Sequence, residues 1–283
     1  MSKCESNVDE LIVPELVEIP GTVSSRLAEY RDWHGDVQAD VSDLETCARN
    51  PEIQGLAITA TDFANPCARY SGVSFELGED VVHARLIEPT GSARASERVP
   101  LCLMFHDVDR PVRGWHHMTR FAAMGYAVLA LDEDTVGVSD LQQGVASPAF
   151  AKRVCWGCAM AKVARDLDGI DPDRIFAWGE GLGGGIALAV SALDEQGLAC
   201  TAIANPLPGG LEALSSRVRG SVLMGTSLMD AVSDPKGQFA VFNGLECDRR
   251  HIIYAKYAHE RINAFENEVV DFFNKTFYPC SLA

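Results

Sequence analysis

The stretch GIDPDRIFAWGEGLGGGIALAVSAL (residues 169–193) decides the fold. Within it, Arg174–Trp178 is a short apolar run with the composition of a β-strand, and Gly184–Leu193 has the length and composition of a buried helix. The glycine-rich turn Gly179–Gly185 joins them. A fully apolar strand that leads directly into an apolar helix is typical of a parallel sheet with helices on both faces. We therefore predict an α/β protein.

The same alternation of strands and helices continues on both sides of this stretch. The further predicted strands are apolar runs: Val99–Phe105, Tyr126–Leu131, Ala199–Ala204, Ser221–Met224 and His251–Tyr254. The predicted helices that separate or follow them are Trp115–Met124, Ala151–Leu167 and Asn263–Phe277. Before them, Val73–Leu77 and Val81–Ile87 alternate like an antiparallel pair, and Pro89–Pro100 has the composition of an exposed loop.

We predict two parts of the chain, with a boundary after residue 65. Residues 1–65 are polar and acidic, and we expect them to form an N-terminal extension that packs on the core. Apolar residues recur every three or four positions in Arg26–Arg49, which indicates an amphipathic helical segment there. Residues 66–283 form the predicted α/β domain, which is mostly a parallel sheet.

Charge and composition exclude several classes of protein. The 283 residues include 24 Lys and Arg against 40 Asp and Glu, a formal charge of −16 that disfavours binding to nucleic acid. Apolar runs are too short to span a membrane, and acidic residues near the N-terminus argue against an export signal, so we expect a cytoplasmic protein. Nine cysteines are scattered without metal-site spacing. Cys155 and Cys158 form a C-x-x-C, which we interpret as two residues of one helix.

Two interpretations compete for the glycine-rich turn. Gly179, Gly181 and Gly184 satisfy the dinucleotide-binding pattern G-x-G-x-x-G, which would make the chain a nucleotide-binding oxidoreductase. That pattern requires a carboxylate at the end of the next strand to bind the ribose, and here the strand is followed by Asn205. The other interpretation is the nucleophile elbow G-x-S-x-G of an α/β-hydrolase, with Gly181 in the place of the serine. Downstream, Asp230 and His259 follow predicted strands in the order acid, then base.

Four segments of the chain resemble the acetyl xylan esterases and cephalosporin-C deacetylases of carbohydrate esterase family seven. They are VPLCLMFHDV (99–108), the stretch quoted above, VLMGTSLMDAVSDPKGQFAVFN (222–243) and IIYAKYAHE (252–260). The resemblance covers residues 72–277 and implies an α/β-hydrolase fold. It also implies a triad with Asp230 and His259, and an oxyanion hole built from the backbone N–H groups of Val108 and Leu182.

The departures from the family pattern concern the catalytic centre. The nucleophile serine corresponds to Gly181, the following glutamine to Leu182, and the HGY motif to His106-Asp107-Val108. Glycine has no atom that can attack an ester, and no residue near it in the sequence offers a replacement hydroxyl. We therefore predict a catalytically impaired member of the family, a pseudoenzyme.

Two alternatives stay open at this point. In the first, His259 activates a water in the place of the missing hydroxyl, giving a weakly active hydrolase of carbohydrate or acetyl esters. In the second, the glycine-rich turn binds a nucleotide. We predict no cofactor and no metal. The expected partner is a small molecule such as an acetylated sugar or another ester, with no nucleic acid and no membrane, and a homo-oligomer stays open.

Overall fold

A computed structural model describes residues 41–49, 51–63, 65–90, 98–108, 115–132 and 136–278. These residues belong to one compact unit, Ala39–Ala283. Most of the predicted helical segment Arg26–Arg49 lies outside the described residues, and its end forms helix α1 (Ser42–Ala48). Part of the predicted loop Pro89–Pro100 also lies outside them.

Nine strands form one sheet. They are β1 (Ile53–Ala60), β2 (Ala68–Leu77), β3 (Asp80–Pro89), β4 (Val99–Phe105), β5 (Ala127–Leu131), β6 (Ile170–Glu180), β7 (Cys200–Ala204), β8 (Ser221–Ser227) and β9 (Arg249–Tyr254). Their spatial order is β1-β2-β3-β5-β4-β6-β7-β8-β9. The pairs β1–β2, β2–β3 and β3–β5 are antiparallel, whereas every pair from β5 to β9 is parallel. This arrangement confirms the predicted α/β fold with a mostly parallel sheet.

Helices cover both faces of the sheet. They are α2 (Trp115–Ala123), α3 (Pro148–Asp166), α4 (Leu182–Leu193), α5 (Glu212–Ser215), α6 (Pro235–Gly244) and α7 (Asn263–Phe277), with two short 3₁₀ helices at Val138–Leu141 and Gly144–Ala146. One apolar cluster joins α1, α3 and α4 to the sheet, and another joins α2 and α7 to the opposite face. Apolar residues on alternate sides of β4 and β6 enter the two clusters, which is why β4 and residues 175–178 of β6 are apolar throughout.

The predicted N-terminal extension contributes a strand to this sheet. Strand β1 lies within residues 1–65 and pairs with β2 at the edge of the sheet. Seven of its eight residues are exposed, so it carries no alternation of buried and exposed positions that would reveal a strand.

The order of the strands fixes where a site can form. From β4 the chain passes to β5 on one side, and it then returns to β6 on the other side of β4. In open α/β sheets, the crevice beyond the carboxyl ends of the strands at such a reversal is where ligands bind. The residues that follow β4 and β6 therefore lie next to the crevice where proteins of this architecture bind ligands.

Candidate active site

The turn between β6 and α4 has the geometry of a nucleophile elbow. Gly181 has φ +52°, in the left-handed region that glycine adopts without a steric penalty. A Cβ at Gly179 would overlap the backbone of Gly183, and a Cβ at Gly183 would overlap the backbone of Phe105. The glycines around position 181 therefore allow strand, turn and helix to pack with their backbones in contact.

The register between β4 and β6 brings Asp107 next to Gly181. Phe105 is paired with Gly179 in the parallel ladder. Asp107 and Gly181 each lie two residues beyond that pair, so they leave the sheet at the same level. The side chain of Asp107 points across the turn toward Gly181 and is 5% exposed.

The Asp107 carboxylate occupies the predicted oxyanion hole. Its Oδ1 accepts hydrogen bonds from the backbone N–H groups of Val108, at 2.8 Å, and Leu182, at 3.0 Å. These are the two groups that the family resemblance assigns to the hole. Two N–H donors that converge on one oxygen are the arrangement that stabilises a developing oxyanion in acyl transfer. Here that oxygen belongs to the protein.

The same carboxylate fills the space that a serine side chain would need. A Cβ built on Gly181 would overlap the carboxyl carbon and Oδ1 of Asp107 and would lie 2.7 Å from Oδ2. Glycine at position 181 therefore does more than relax the backbone, because it leaves room for Asp107. The group that stands in the place of the missing hydroxyl is a carboxylate from the loop after β4, which is distant from Gly181 in the sequence.

Asp230 and His259 form the acid–base pair on the other side of the site. Asp230 follows β8, and its side chain is fully buried. Its Oδ1 accepts hydrogen bonds from the backbone N–H groups of Val232 and Ser233, both at 2.8 Å. Its Oδ2 lies 2.7 Å from Nδ1 of His259, which holds the imidazole with Nε2 toward the elbow. The N-cap of α6 is the neighbouring Asp234, so Asp230 has no capping role there.

His259 lies between two carboxylates. Its Nε2 is 3.0 Å from Oδ2 of Asp107, which makes an ion pair when the imidazole is protonated. Burial by itself lowers the pKa of His259, but hydrogen-bonding and charge interactions with Asp107 and then Asp230 outweigh it and raise the pKa to about 9. At neutral pH the imidazole is therefore protonated, and it forms a continuous chain with one acidic group on each side.

The structure brings all five sequence-predicted site residues into one place. These residues are Gly181, Asp230, His259, Val108 and Leu182. The functional residue that sequence reasoning missed is Asp107, which it treated only as a departure from the HGY motif. The available signal was the pairing of an acidic residue after β4 with a glycine at the elbow, because the loss of one side chain makes room for the other.

The glycine-rich turn offers little space for a pyrophosphate. A Cβ on Gly184 would touch the carbonyl of Ala204, and a Cβ on Gly185 would overlap the carbonyl of Leu207. The N–H of Leu182, at the start of α4, is already bonded to Asp107. The glycines thus accommodate neighbouring protein backbone, which disfavours the dinucleotide interpretation.

Asn205 stands where a ribose-binding carboxylate would be needed, and its side chain is hydrogen-bonded within the protein. Its Nδ2 donates to Oγ of Ser227 at 3.0 Å, and its Oδ1 accepts from the N–H of Ser227 at 2.8 Å. Both ends of this buried amide are therefore used to join β7 to β8.

Four exposed apolar side chains, called the apolar rim below, lie on the loops that carry Asp230 and His259. They are Leu228, Met229, Val232 and Tyr257, which are between 36% and 65% exposed. The N–H of Met229 bonds to the carbonyl of Tyr257 at 3.0 Å.

Other predicted features give no further site among the described residues. In that part of the chain, no group of three or more His, Cys, Asp or Glu side chains is arranged to hold a metal ion. No described helix is long and apolar enough to cross a membrane. Cys155 and Cys158 are buried in the middle of α3, which agrees with their interpretation as helix residues.

Comparisons with known proteins agree with this geometry. The family model for acetyl xylan esterase matches residues 149–207 and 210–276. The crystal structure of acetyl xylan esterase 1 from a Thermoanaerobacterium species superposes with a TM-score of 0.70 at 17% identity, covering 86% of this chain and 94% of that one. An acetyl xylan esterase from a Paenibacillus species gives a TM-score of 0.67 at 17% identity, covering 85% of this chain and 94% of that one.

A curated relative is more similar in sequence but matches over a shorter span. The quorum-quenching protein AidA of Acinetobacter baumannii is 30% identical over 189 residues, which is 60% of this chain and 60% of the relative. The chain thus spans less than two thirds of the length of that protein.

The order of the sheet and the solved structures that superpose on it show that the chain has an α/β-hydrolase fold. Within that fold, the chain is similar to the acetyl xylan esterases, whose family model matches less than half of its residues. The match of the family model includes α4, Asp230 and His259. It does not include Asp107, where the site departs from the family.

Proposed function

We propose that this chain is an acetyl xylan esterase-like protein that is impaired in ester hydrolysis by the serine route. The observation that carries the proposal is the position of the Asp107 carboxylate, with Oδ1 in the oxyanion hole and the whole group in the place of a serine at Gly181. An ester needs both of these places, because its carbonyl oxygen must enter the hole while a hydroxyl attacks its carbon.

The charge of His259 supports the same proposal. A general base has to be unprotonated at the working pH, and a pKa of about 9 leaves His259 protonated at neutral pH. The alternative in which His259 activates a water also becomes less favourable, because the carboxylate of Asp107 lies where that water would lie.

The similarity to acetyl xylan esterases also suggests the class of ligand. We propose a small molecule, either an acetylated sugar or another ester, that binds at the rim beside His259. While Asp107 occupies the oxyanion hole, an external acyl or carboxylate group does not reach the two N–H donors. A homo-oligomer and a cytoplasmic location stay predictions.

The test is hydrolysis of p-nitrophenyl acetate by four proteins: wild type, Gly181→Ser, Asp107→Gly and the double variant Asp107→Gly with Gly181→Ser. Loss of the serine from a comparable triad lowers turnover by about 10⁶-fold. We expect the wild type and both single variants to stay within about tenfold of a His259→Ala control. The double variant has the hydroxyl and an empty hole, so we expect it to exceed the wild type by at least about 10²-fold.

Two results would count against the proposal. Turnover by the wild type far above the His259→Ala control would show that ester hydrolysis is not impaired. An inactive double variant with normal thermal stability would show that Asp107 is not the obstacle. In that case the impairment would have its origin elsewhere, for example at Val108 or Leu182.

A further inference from the structure

The two oxygens of Asp107 face different groups. Oδ1 is held by the N–H groups of Val108 and Leu182, and Oδ2 faces Nε2 of His259. We propose that Asp107 is a nucleophile that displaces a leaving group from a saturated carbon, and that its own ester is then hydrolysed in the oxyanion hole. The substrate class is a small apolar alkyl electrophile, such as an alkyl halide. This inference rests on the same position of Asp107 that carries the proposed function, and it goes beyond it.

The occupied oxyanion hole selects this class of substrate. Attack on an ester carbonyl would create an oxyanion on the substrate, and the two N–H donors that should stabilise it are bonded to Oδ1 of Asp107. Displacement at a saturated carbon creates no oxyanion on the substrate. An oxyanion arises only in the second step, on Asp107 itself, and Oδ1 is already within 3.0 Å of both donors.

In the first step, a lone pair of Oδ2 attacks the carbon that carries the leaving group. A carbon–oxygen bond forms and the bond to the leaving group breaks. The leaving group departs as an anion with the bonding electron pair. The product is a neutral alkyl ester of Asp107, a covalent intermediate of the kind that carboxylate nucleophiles form in other enzymes.

In the second step, His259 takes a proton from a water through Nε2, and the hydroxide attacks the carboxyl carbon of Asp107. The charge develops on Oδ1, between the N–H groups of Val108 and Leu182. When the intermediate collapses, the bond to Oδ2 breaks and the alcohol leaves with the proton from His259. The new carboxyl group gives its proton to His259, so Asp107 regains a carboxylate that contains one oxygen from water. The overall reaction converts an alkyl halide and water into an alcohol, a halide ion and a proton.

The charges around His259 couple the two steps in the correct order. Before the first step, interactions with Asp107 and Asp230 raise the pKa of His259 and keep it protonated. Esterification removes the charge of Asp107, so the pKa of His259 falls and the imidazole can lose its proton. Asp230, a positioning residue bonded to Nδ1 at 2.7 Å, then keeps Nε2 directed at the ester. His259 thus becomes a base only when there is an ester to hydrolyse.

The surroundings of the nucleophile fit an apolar electrophile. Asp107 is 5% exposed and His259 is 12% exposed at the side chain, so the reacting groups are largely shielded from water. The apolar rim defined above lies on the two loops beside them, with Met229 65% exposed. These side chains offer an exposed apolar surface, on which a short alkyl chain loses contact with water.

The experiment traps the ester. Wild type and His259→Gln are incubated separately with n-butyl bromide and with methyl nosylate, an unhindered alkylating reagent. Glutamine is similar in size to histidine but cannot act as a base, so we expect His259→Gln to accumulate about one alkyl group per chain, on Asp107. Peptide mass spectrometry locates the group. Asp230, the other carboxylate that contacts His259, is the internal control and should remain unmodified.

Turnover is followed in water labelled with heavy oxygen. We expect the wild type to release bromide from n-butyl bromide, to show little accumulated ester and to acquire heavy oxygen in the carboxylate of Asp107. Asp107→Asn, which keeps the shape of the side chain but is a poor nucleophile, should release no bromide above the buffer rate. Wild type without alkyl bromide should acquire no label. Thermal unfolding checks that both variants remain folded.

Three outcomes would overturn the inference. The first is no ester and no label on Asp107 with either reagent, which would make Asp107 a structural occupant of the hole. The second is an ester on Asp107 that accumulates equally in wild type and His259→Gln, which would exclude the hydrolytic step. The third is alkylation elsewhere instead, for example on His259. None of these outcomes changes the expected result with p-nitrophenyl acetate, so failure of this inference is distinguishable from failure of the proposed function.

Discussion

The two sides of His259 agree to different degrees with the geometry of a serine hydrolase. On the Nδ1 side, Asp230 is buried, accepts two backbone hydrogen bonds and orients the imidazole as a triad acid does. On the Nε2 side, a carboxylate occupies the positions of both the hydroxyl and the oxyanion. A site can therefore retain its histidine and its orienting acid while a carboxylate replaces the groups opposite them.

The coupling between Gly181 and Asp107 gives the largest expected effect on stability. Gly181→Ser places a side chain at positive φ and forces it into the Asp107 carboxylate, so we expect a loss of about 3–5 kcal/mol in the free energy of unfolding. In the Asp107→Gly background only the backbone strain remains, and the loss should fall by about 2 kcal/mol. Urea unfolding of the four proteins of this cycle measures the difference.

Gly78 provides a matched control for that cycle. It has φ +61°, similar to Gly181, but a Cβ there would meet nothing within 4 Å. Gly78→Ser therefore reports the backbone strain alone, which is about 1–3 kcal/mol. If Gly181→Ser costs no more than Gly78→Ser, or if its cost is independent of Asp107, the carboxylate does not occupy the serine position in solution.

The pH dependence of stability comes next in size. The pKa of His259 is raised in the folded protein to about 9, against an ordinary value of 6.5. Its stabilising contribution is therefore fully present below about pH 6.5 and is lost as the pH rises through about 9. Allowing for solvent screening of a site near the surface, the contribution is on the order of 2 kcal/mol.

Urea unfolding of wild type and His259→Gln at pH 6 and pH 9.5 measures this contribution. The two pH values lie below and above the range over which the pKa of His259 is shifted. The difference in stability between the two proteins should be larger at the lower pH. An equal difference at both pH values, or a larger one at the higher pH, would mean that the two carboxylates do not hold His259 protonated.

Much of this fold could be predicted because its strands are buried on both faces. Apolar runs such as Val99–Phe105 stand out in the sequence, and they correspond to strands in the structure. Strand β1 gave no such signal, because seven of its eight residues face solvent at the edge of the sheet. An edge strand is defined by its backbone pairing, and composition carries little information about that pairing.

The residues of the candidate site also differ in how far their positions could be predicted from the sequence. Gly181, Asp230 and His259 follow strands directly, so their place at one edge of the sheet follows from the order of strands and helices. The role of Asp107 depends on the pairing of Phe105 with Gly179, which a single sequence does not contain. The sequence also presents Asp107 as a lost glycine, whereas its importance comes from the side chain that it adds.

The smallest expected effect compares the two carboxylates through the pKa of His259. Asp107 and Asp230 both raise that pKa, and the larger contribution comes from Asp107. Asp107→Asn and Asp230→Asn each replace a charge by a neutral group of the same shape. Each should therefore lower the pKa by about one unit or more, equivalent to about 1.4 kcal/mol per unit, with the larger decrease for Asp107→Asn. Titration of the His259 ring by NMR measures both values.

Which of the two substitutions lowers the pKa of His259 more distinguishes two descriptions of the site. In a triad remnant with an incidental neighbour, Asp230 dominates because it is fully buried and bonded to Nδ1 at 2.7 Å. In a site where the Asp107 carboxylate replaces the hydroxyl, Asp107 contributes at least as much to the pKa, because its Oδ2 faces Nε2 at 3.0 Å. A decrease confined to Asp230→Asn would show that Asp107 does not control the proton on His259. The charge coupling that makes His259 a base only after esterification would then be absent, and the nucleophilic role of Asp107 would lose its second step.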